Sequence, residues 1–117
     1  MIKAFDNLFL PAVSLEESKK FYTETLGLLV KFDFSERGLL AFKVGEEEPA
    51  IILKDQSKFP DAKPSILFTV ENVEETARQL ENKGVKLTKK PYKIMTGWAA
   101  EFTDPTGNLL GITDYRK

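Results

Sequence analysis

The sequence predicts an α+β fold, a cupped mixed sheet built from two tandem βαβββ modules. Two observations carry that prediction: the order strand, capped helix, three strands occurs twice within 117 residues, and each helix bears a single apolar stripe followed by a glycine. Neither module of about 54 residues can bury much surface alone, so the two are expected to pack as one domain. We place the first module at residues 1–56, a connector carrying Pro60 and Asp61 at 57–63, and the second module at 64–117.

Residues 4–13 read as the first strand, with Leu8, Leu10 and Ala12 on one face and Phe5, Asn7 and Phe9 on the other. Ser14-Leu15-Glu16-Glu17 is a capping box, in which the Ser hydroxyl accepts from a first-turn amide and Glu17 reaches back. The helix it opens carries Leu15, Ser18, Phe21, Tyr22 and Leu26 on one stripe and stops at Gly27. Strand-like segments come next at 28–34, 39–44 and 50–54, separated by the turn-like 35–38 and 45–49.

The second module repeats this order. Residues 65–70 read as a strand, and Asn72-Val73-Glu74-Glu75 caps a helix with Val73, Ala77 and Leu80 inward and Gly84 at its end. Strands are read at 85–88, or on to Tyr92, then at 98–103 and 109–113. Asp104-Pro105-Thr106-Gly107 between the last two has the residue preferences of a type I turn. The modules close on similar runs, Ile51-Ile52-Leu53-Lys54-Asp55 and Leu110-Gly111-Ile112-Thr113-Asp114.

Composition removes more chemistry than any motif adds. With no Cys and no His, disulfides, thiolate nucleophiles, zinc fingers and His-dependent triads are excluded. Seventeen Lys and Arg against 18 Asp and Glu give a net charge of -1 and no basic field, so nucleic acid is not an expected partner. Apolar runs such as residues 8–13 fall far short of a bilayer span of roughly 20 residues, and no signal-peptide pattern opens the chain. The expectation is a cytoplasmic protein with no membrane partner. Lys83, Lys86, Lys89, Lys90 and Lys93 read as protection of an exposed edge strand, and Glu46 to Glu48 as a solvated turn.

The order of elements, Phe21-Tyr22 followed by Leu26-Gly27-Leu28, and Asp104-Pro105-Thr106-Gly107-Asn108 resemble the glyoxalase/bleomycin-resistance/dioxygenase superfamily, the vicinal oxygen chelate proteins. The resemblance covers nearly the whole chain, but both motifs shape the backbone and speak for fold. It implies a cleft-facing divalent metal held by one His or Glu from the first and last strand of each module. Spacing puts those positions at Asn7, Ile52, Ser65 and Gly111, which cannot supply the three or so donors a tight transition-metal site needs. Asp6, Asp55 and Asp114 lie at odd offsets from them, on the opposite strand face. No cofactor is expected.

On this resemblance the ligand-binding candidates facing a cleft are Phe5, Asn7, Phe9, Phe32, Ile52, Ser65, Leu67, Trp98 and Gly111, with Glu101 and Tyr115 as polar partners. Phe and Trp offer flat apolar walls, and Ser65 and Gly111 leave room between them. A carboxylate beside such walls suits a cationic ligand. Each phenylalanine also reads simply as core. Three functions stay open: a metal-independent protein binding a small aromatic or drug-like molecule, a lyase or dioxygenase relative using an unrecognised metal or a metal-free mechanism, or an accessory domain turned protein-interaction module, for which no residue speaks directly. The resemblance further implies a homodimer and leaves open whether the modules pair within one chain or across two.

Overall fold

Both βαβββ modules are present in the computed structural model of the protein, which describes residues 1–116. The chain runs β1 (Ile2–Ala12), α1 (Leu15–Lys20), β2 (Leu29–Phe34), β3 (Leu39–Lys43), β4 (Ala50–Asp55), β5 (Ser65–Val70), α2 (Val73–Asn82), β6 (Leu87–Ile94), β7 (Gly97–Thr103) and β8 (Leu109–Thr113). Contacts divide it into two units: Asn7–Pro64, the first, and Met1–Asp6 with residues 65–116, the second. The first six residues therefore belong with the later module, because β1 contributes one half to each unit. Strand order is β2-β3-β4-β1 in the first unit and β1-β5-β8-β7-β6 in the second.

Register reproduces the repeat. β1 runs parallel to β4 with Asn7 opposite Ala50 and Phe9 opposite Ile52; β5 runs parallel to β8 with Ser65 opposite Leu109 and Leu67 opposite Gly111. Asn7 thus corresponds to Ser65, Phe9 to Leu67 and Ile52 to Gly111.

In the first unit one sheet face meets the helix. Leu40, Phe42 and Leu53 are buried with Ala12 and Leu15, and the Tyr22 ring stacks on Phe42 at 4.8 Å. The expected stripe breaks after Tyr22. Residues Phe21–Thr25 form a π-turn in which the Leu26 amide donates to the Phe21 carbonyl, and the extra residue rotates the end of the helix out of phase. Leu26, beyond the break, is consequently half exposed instead of buried, and Phe21, at the start of the π-turn, is half exposed as well. Ser14 caps α1 as expected, its Oγ accepting from the Glu17 amide at 3.2 Å.

The second unit buries Val70, Val73, Leu80, Ala100, Phe102 and Ile112 against α2. Val73, Thr76, Ala77 and Leu80 make the inward stripe at the three- and four-residue spacing of a helix. Asn72 caps the helix through the Glu75 amide. The Asp104 turn closes with Gly107 donating to the Asp104 carbonyl, while Asp104 Oδ1 accepts from the amides of Thr106, Gly107 and Asn108. β6 is longer than expected, reaching Ile94, and forms the sheet edge of its unit, with register shifts along it and Pro91 within it. Its lysines fit an edge kept from further pairing.

One carboxylate ties three elements of this unit together. The fully buried side chain of Asp114 accepts from the Val73 amide at the start of α2 (2.9 Å), the Trp98 amide in β7 (3.1 Å), and both the amide and Nε of Arg116. Burial pushes this carboxyl up, but the amides of Val73, Arg116 and Trp98 and the Arg116 guanidinium favour the ionised form and hold it below its ordinary value. Gly97 makes room for the clasp: a Cβ there would lie 2.6 Å from the Arg116 nitrogen and 2.8 Å from Asp114 Oδ1. Asp55, at the equivalent place in the repeat, only closes an exposed turn through Ser57.

Asp114→Ala should cost about 3 kcal/mol in urea unfolding, because it strands buried amides, while Asp55→Ala should cost clearly less. Since the folded pKa of Asp114 is depressed, its contribution is complete above about pH 4 and is lost as pH falls through the folded value. Asp114→Asn should therefore be less stable than the natural protein at neutrality yet lose less on acidification. Parallel acid profiles for the two would refute the assignment.

Candidate functional site

Each unit has a sheet face that its own helix does not cover. In the first unit, adjacent strands bring Phe9, Ile52, Ala41 and Phe32 into one row, because Phe9 pairs with Ile52, Ile52 with Ala41, and Ala41 with Phe32. Alternation forces this: the neighbours Leu10, Leu53, Leu40 and Phe42 point to the helix. Phe9, Phe32 and Leu39 are half-buried over Ala41, Ala50 and Ile52. Phe34 tilts against Phe32 with ring centres 5.0 Å apart. Lys54, two residues past Ile52 on the same face, places Nζ 4.5 Å from the centre of the Phe9 ring and 5.4 Å from that of Phe59. Asn7 is occupied with the backbone, its Oδ1 accepting from the Ala50 amide at 3.0 Å.

The equivalent face of the second unit is polar. Leu67 pairs with Gly111 and Gly111 with Glu101. The Tyr92 hydroxyl donates to Glu101 Oε2 at 3.3 Å, and Lys89 stands 5.7 Å from the centre of the Tyr92 ring. Burial, reinforced by the Glu101 charge and hydrogen bond, raises the Tyr92 phenol to about 12. Tyr92 is a proton donor at neutral pH and Glu101 its acceptor.

The sequence-derived candidates thus separate. Phe9, Phe32 and Ile52 come together with Asn7 alongside, and Leu67, Gly111 and Glu101 come together with Ser65 at the head of the same strand. Trp98 is displaced from the expected set: it packs with the helix-side core of the second unit, since its odd offset from Glu101 turns it to the opposite face. Phe5 lies in β1, is 48% exposed, and joins no buried cluster. The room expected at Gly111 is taken, because a Cβ there would meet Leu67 Cδ1 at 2.9 Å. Tyr115 serves the fold, donating to Asp6 Oδ2 at 2.6 Å from a left-handed backbone (φ 56°). Tyr92 and Lys54 were not among the candidates. The first lies at an ambiguous strand end in the sequence; the second shows its period-two relation to Ile52 only once the face of Ile52 is known.

A divalent metal does not fit the four positions where this fold would hold one. Asn7 is spent on a backbone amide, Ile52 is apolar and 6% exposed, and Gly111 has no side chain and is covered by Leu67. Ser65 offers one neutral hydroxyl. Among the described residues no three acidic side chains converge, and the chain contains no His or Cys.

Residues 4–112 match the Glyoxalase/Bleomycin resistance protein/Dioxygenase superfamily. Two proteins of Bacillus subtilis (strain 168) are similar: YraH, 32% identical over 116 residues (83% of this chain, 87% of YraH), and YurT, 28% identical over 107 residues (80% of this chain, 84% of YurT). Among solved structures, methylmalonyl-CoA epimerase from Mycobacterium tuberculosis superposes with a TM-score of 0.74 at 17% identity, over 97% of this chain and 88% of that one. A glyoxalase/bleomycin resistance protein/dioxygenase superfamily member from Vibrio splendidus 12B01 superposes with a TM-score of 0.68 at 15% identity, over 97% and 99%. Such identities speak for the fold alone. The match along nearly all of the chain, on a twice-repeated βαβββ fold, shows that the protein belongs to the glyoxalase/bleomycin-resistance/dioxygenase superfamily.

Proposed function

We propose that this chain is a metal-independent small-molecule-binding member of its family, working as a cytoplasmic homodimer and holding an aromatic or drug-like molecule against the uncovered sheet face of Asn7–Pro64. The observation that carries the reading is the row Phe9, Ile52, Ala41, Phe32: aromatic and aliphatic side chains on the face away from α1, where burial of further apolar area drives association. The donor-poor positions Asn7, Ile52, Ser65 and Gly111 support binding without a metal. Half-exposed Phe34 and Leu26 and the more exposed Leu29 in the same unit support an apolar contact with a second copy.

Ligand binding is checked by calorimetry with a panel of aromatic compounds and by the shift in melting temperature. Phe9→Ala and Phe32→Ala should each weaken a binder about tenfold or more, in line with loss of one buried aromatic contact. Stoichiometric binding of nickel, manganese or zinc that stabilises the protein, with no response to any aromatic compound, would sink the reading. Sedimentation at micromolar concentration should give a dimer, and Leu29→Glu a monomer; a monomer without substitution rejects the assembly.

A second reading, a metal-free lyase of the same family, draws on Tyr92 and Glu101, a phenol and a carboxylate joined on the uncovered face of the second unit. Titration of the tyrosines should find Tyr92 ionising near pH 12, and Glu101→Gln should move it back toward 10. Because the folded value is raised, the pair's contribution to stability is complete below about pH 10 and is lost as pH climbs through about 12. A Tyr92 that titrates normally would remove the basis for a coupled proton donor and acceptor.

A further inference from the structure

The second unit holds a cavity of about 470 Å³ between the start of α2 and the beginning of β1, a volume in the range of small-molecule sites. Every residue lining it belongs to that unit, and no aromatic side chain is among them. On α2, Glu75 and Gln79 stand one turn apart with Thr76 beside Glu75, and Glu71 joins them from just before the helix cap. Lys3 of β1 and Arg116 bring the opposite charge.

Thr76 is the buried polar group of this lining, only 6% exposed. A helical threonine can spend its hydroxyl on the carbonyl four residues back, as Thr23 does on Lys19 at 2.7 Å, and buried Thr113 spends its own on the Trp98 carbonyl at 2.9 Å. The Thr76 hydroxyl has no such partner among the described residues. Since every fully enclosed side-chain oxygen and nitrogen among those residues is bonded, the Thr76 oxygen keeps an opening, and the cavity it lines is that opening.

The charges around it are likewise uncommitted. The side chains of Lys3, Glu71 and Glu75 form no ion pair or hydrogen bond among the described residues, whereas Arg116 is fastened to Glu74 at 3.1 Å and to Asp114 at 3.3 Å. Two first-turn amides of α2 are occupied, Val73 by Asp114 and Glu75 by Asn72, so the helix start is not left open as an anion cradle. A simple anion would meet Glu71 and Glu75, and a simple cation would meet Lys3 and Arg116. A molecule carrying both charges satisfies both sets.

We propose that this cavity binds a free α-amino acid, its ammonium on Glu71 and Glu75, its carboxylate on Lys3, and the Thr76 hydroxyl its buried contact. The site shares no residue with the aromatic row of Asn7–Pro64 and stands or falls independently of the function proposed for that row.

Amide NMR of the full chain, titrated with the protein L-amino acids one at a time, reads both binding and its place. At least one amino acid should shift the amides of Glu71, Glu75 and Thr76 in a saturable way. For the tightest of them, the carboxamide, which lacks the carboxylate, and the N-acetyl form, which lacks the ammonium, should each bind about tenfold or more weakly, as loss of a hydrogen bond to a charged group implies. Lys3→Met should bring the amino acid down to the affinity of its carboxamide, and Glu71→Gln combined with Glu75→Gln should bring it down to that of the N-acetyl form. These three positions are exposed, so the variants should fold. Thr76→Val should weaken binding about fivefold without lowering the urea midpoint, because the hydroxyl has no partner in the fold to lose. Saturable shifts absent from these amides for every amino acid, or confined to Asn7–Pro64, overturn the site and leave the aromatic row untouched. Equal binding of the carboxamide or the N-acetyl form, or a lowered urea midpoint for Thr76→Val, overturns it as well.

Discussion

The second unit hangs on one buried carboxylate. Asp114 comes directly after β8, yet its oxygens receive amides from the first turn of α2 and from the start of β7, and they anchor the chain beyond the strand through Arg116. A helix can lie across a sheet at many angles while keeping its apolar stripe covered, so hydrophobic burial leaves the placement of its end loose. A buried anion with directed hydrogen bonds does not, since each unmade bond leaves a buried polar group without a partner. The absence of a side chain at Gly97 is a condition of the arrangement, because any Cβ there would occupy space the clasp fills. Asp6 adds a second tie of the same kind, receiving the hydroxyls of Tyr115 and Thr69, so the first residues of β1 are bound to the unit that ends the chain.

The two modules share a backbone plan and differ in chemistry. Parallel register equates Phe9 with Leu67 and Ile52 with Gly111, but one pair sits in an aromatic row capped by a lysine, whereas the other lies beside a carboxylate and phenol. The helix-facing positions are alike in both: Leu53 and Ile112 occupy the same place after those two residues, and both are completely enclosed. One strand face carries the residues that fold each module, and the other carries those that distinguish the modules. A strand separates these demands at every residue, which is why matching positions on the open face can be Ile in one module and Gly in the other without disturbing the core.

The same separation decides how much of the fold and the site is legible in the sequence. Caps, the Asp104 turn, both helices and the order of elements along the chain are readable because they depend on local chemistry: Ser14 and Asn72 bond the amides their positions predict, and Asp104 gathers its own turn. Facing assignments hold where two strands agree, as for Phe9, Phe32 and Ile52. They fail for Trp98, whose parity along β7 sets it on the helix side, opposite Glu101. The phase of the first helix is lost after Tyr22 because a π-turn leaves no mark in a stripe assigned at regular spacing; it is visible only as the Leu26 to Phe21 hydrogen bond. Asp114 stands out in the sequence for its repeat position and its chemistry as a metal donor, but its real partners come from distant segments that no periodicity joins.

Edge strands show a last consequence of the repeat. β2 ends the order of the first unit and β6 that of the second, and each carries a register irregularity: Lys31 lies in the bulge of β2, and Lys89 and Pro91 fall where β6 slips against β7. An open edge with regular spacing would recruit another strand, and a lysine or proline at a bulge removes either the flatness or a donor that recruitment needs. Lys31 is held by the Glu48 carbonyl at 2.5 Å, which fixes it across the end of the sheet instead of leaving it to swing away. Leu29, Val30 and Phe34 lie exposed beside that edge, where the irregular backbone is unsuited to pairing.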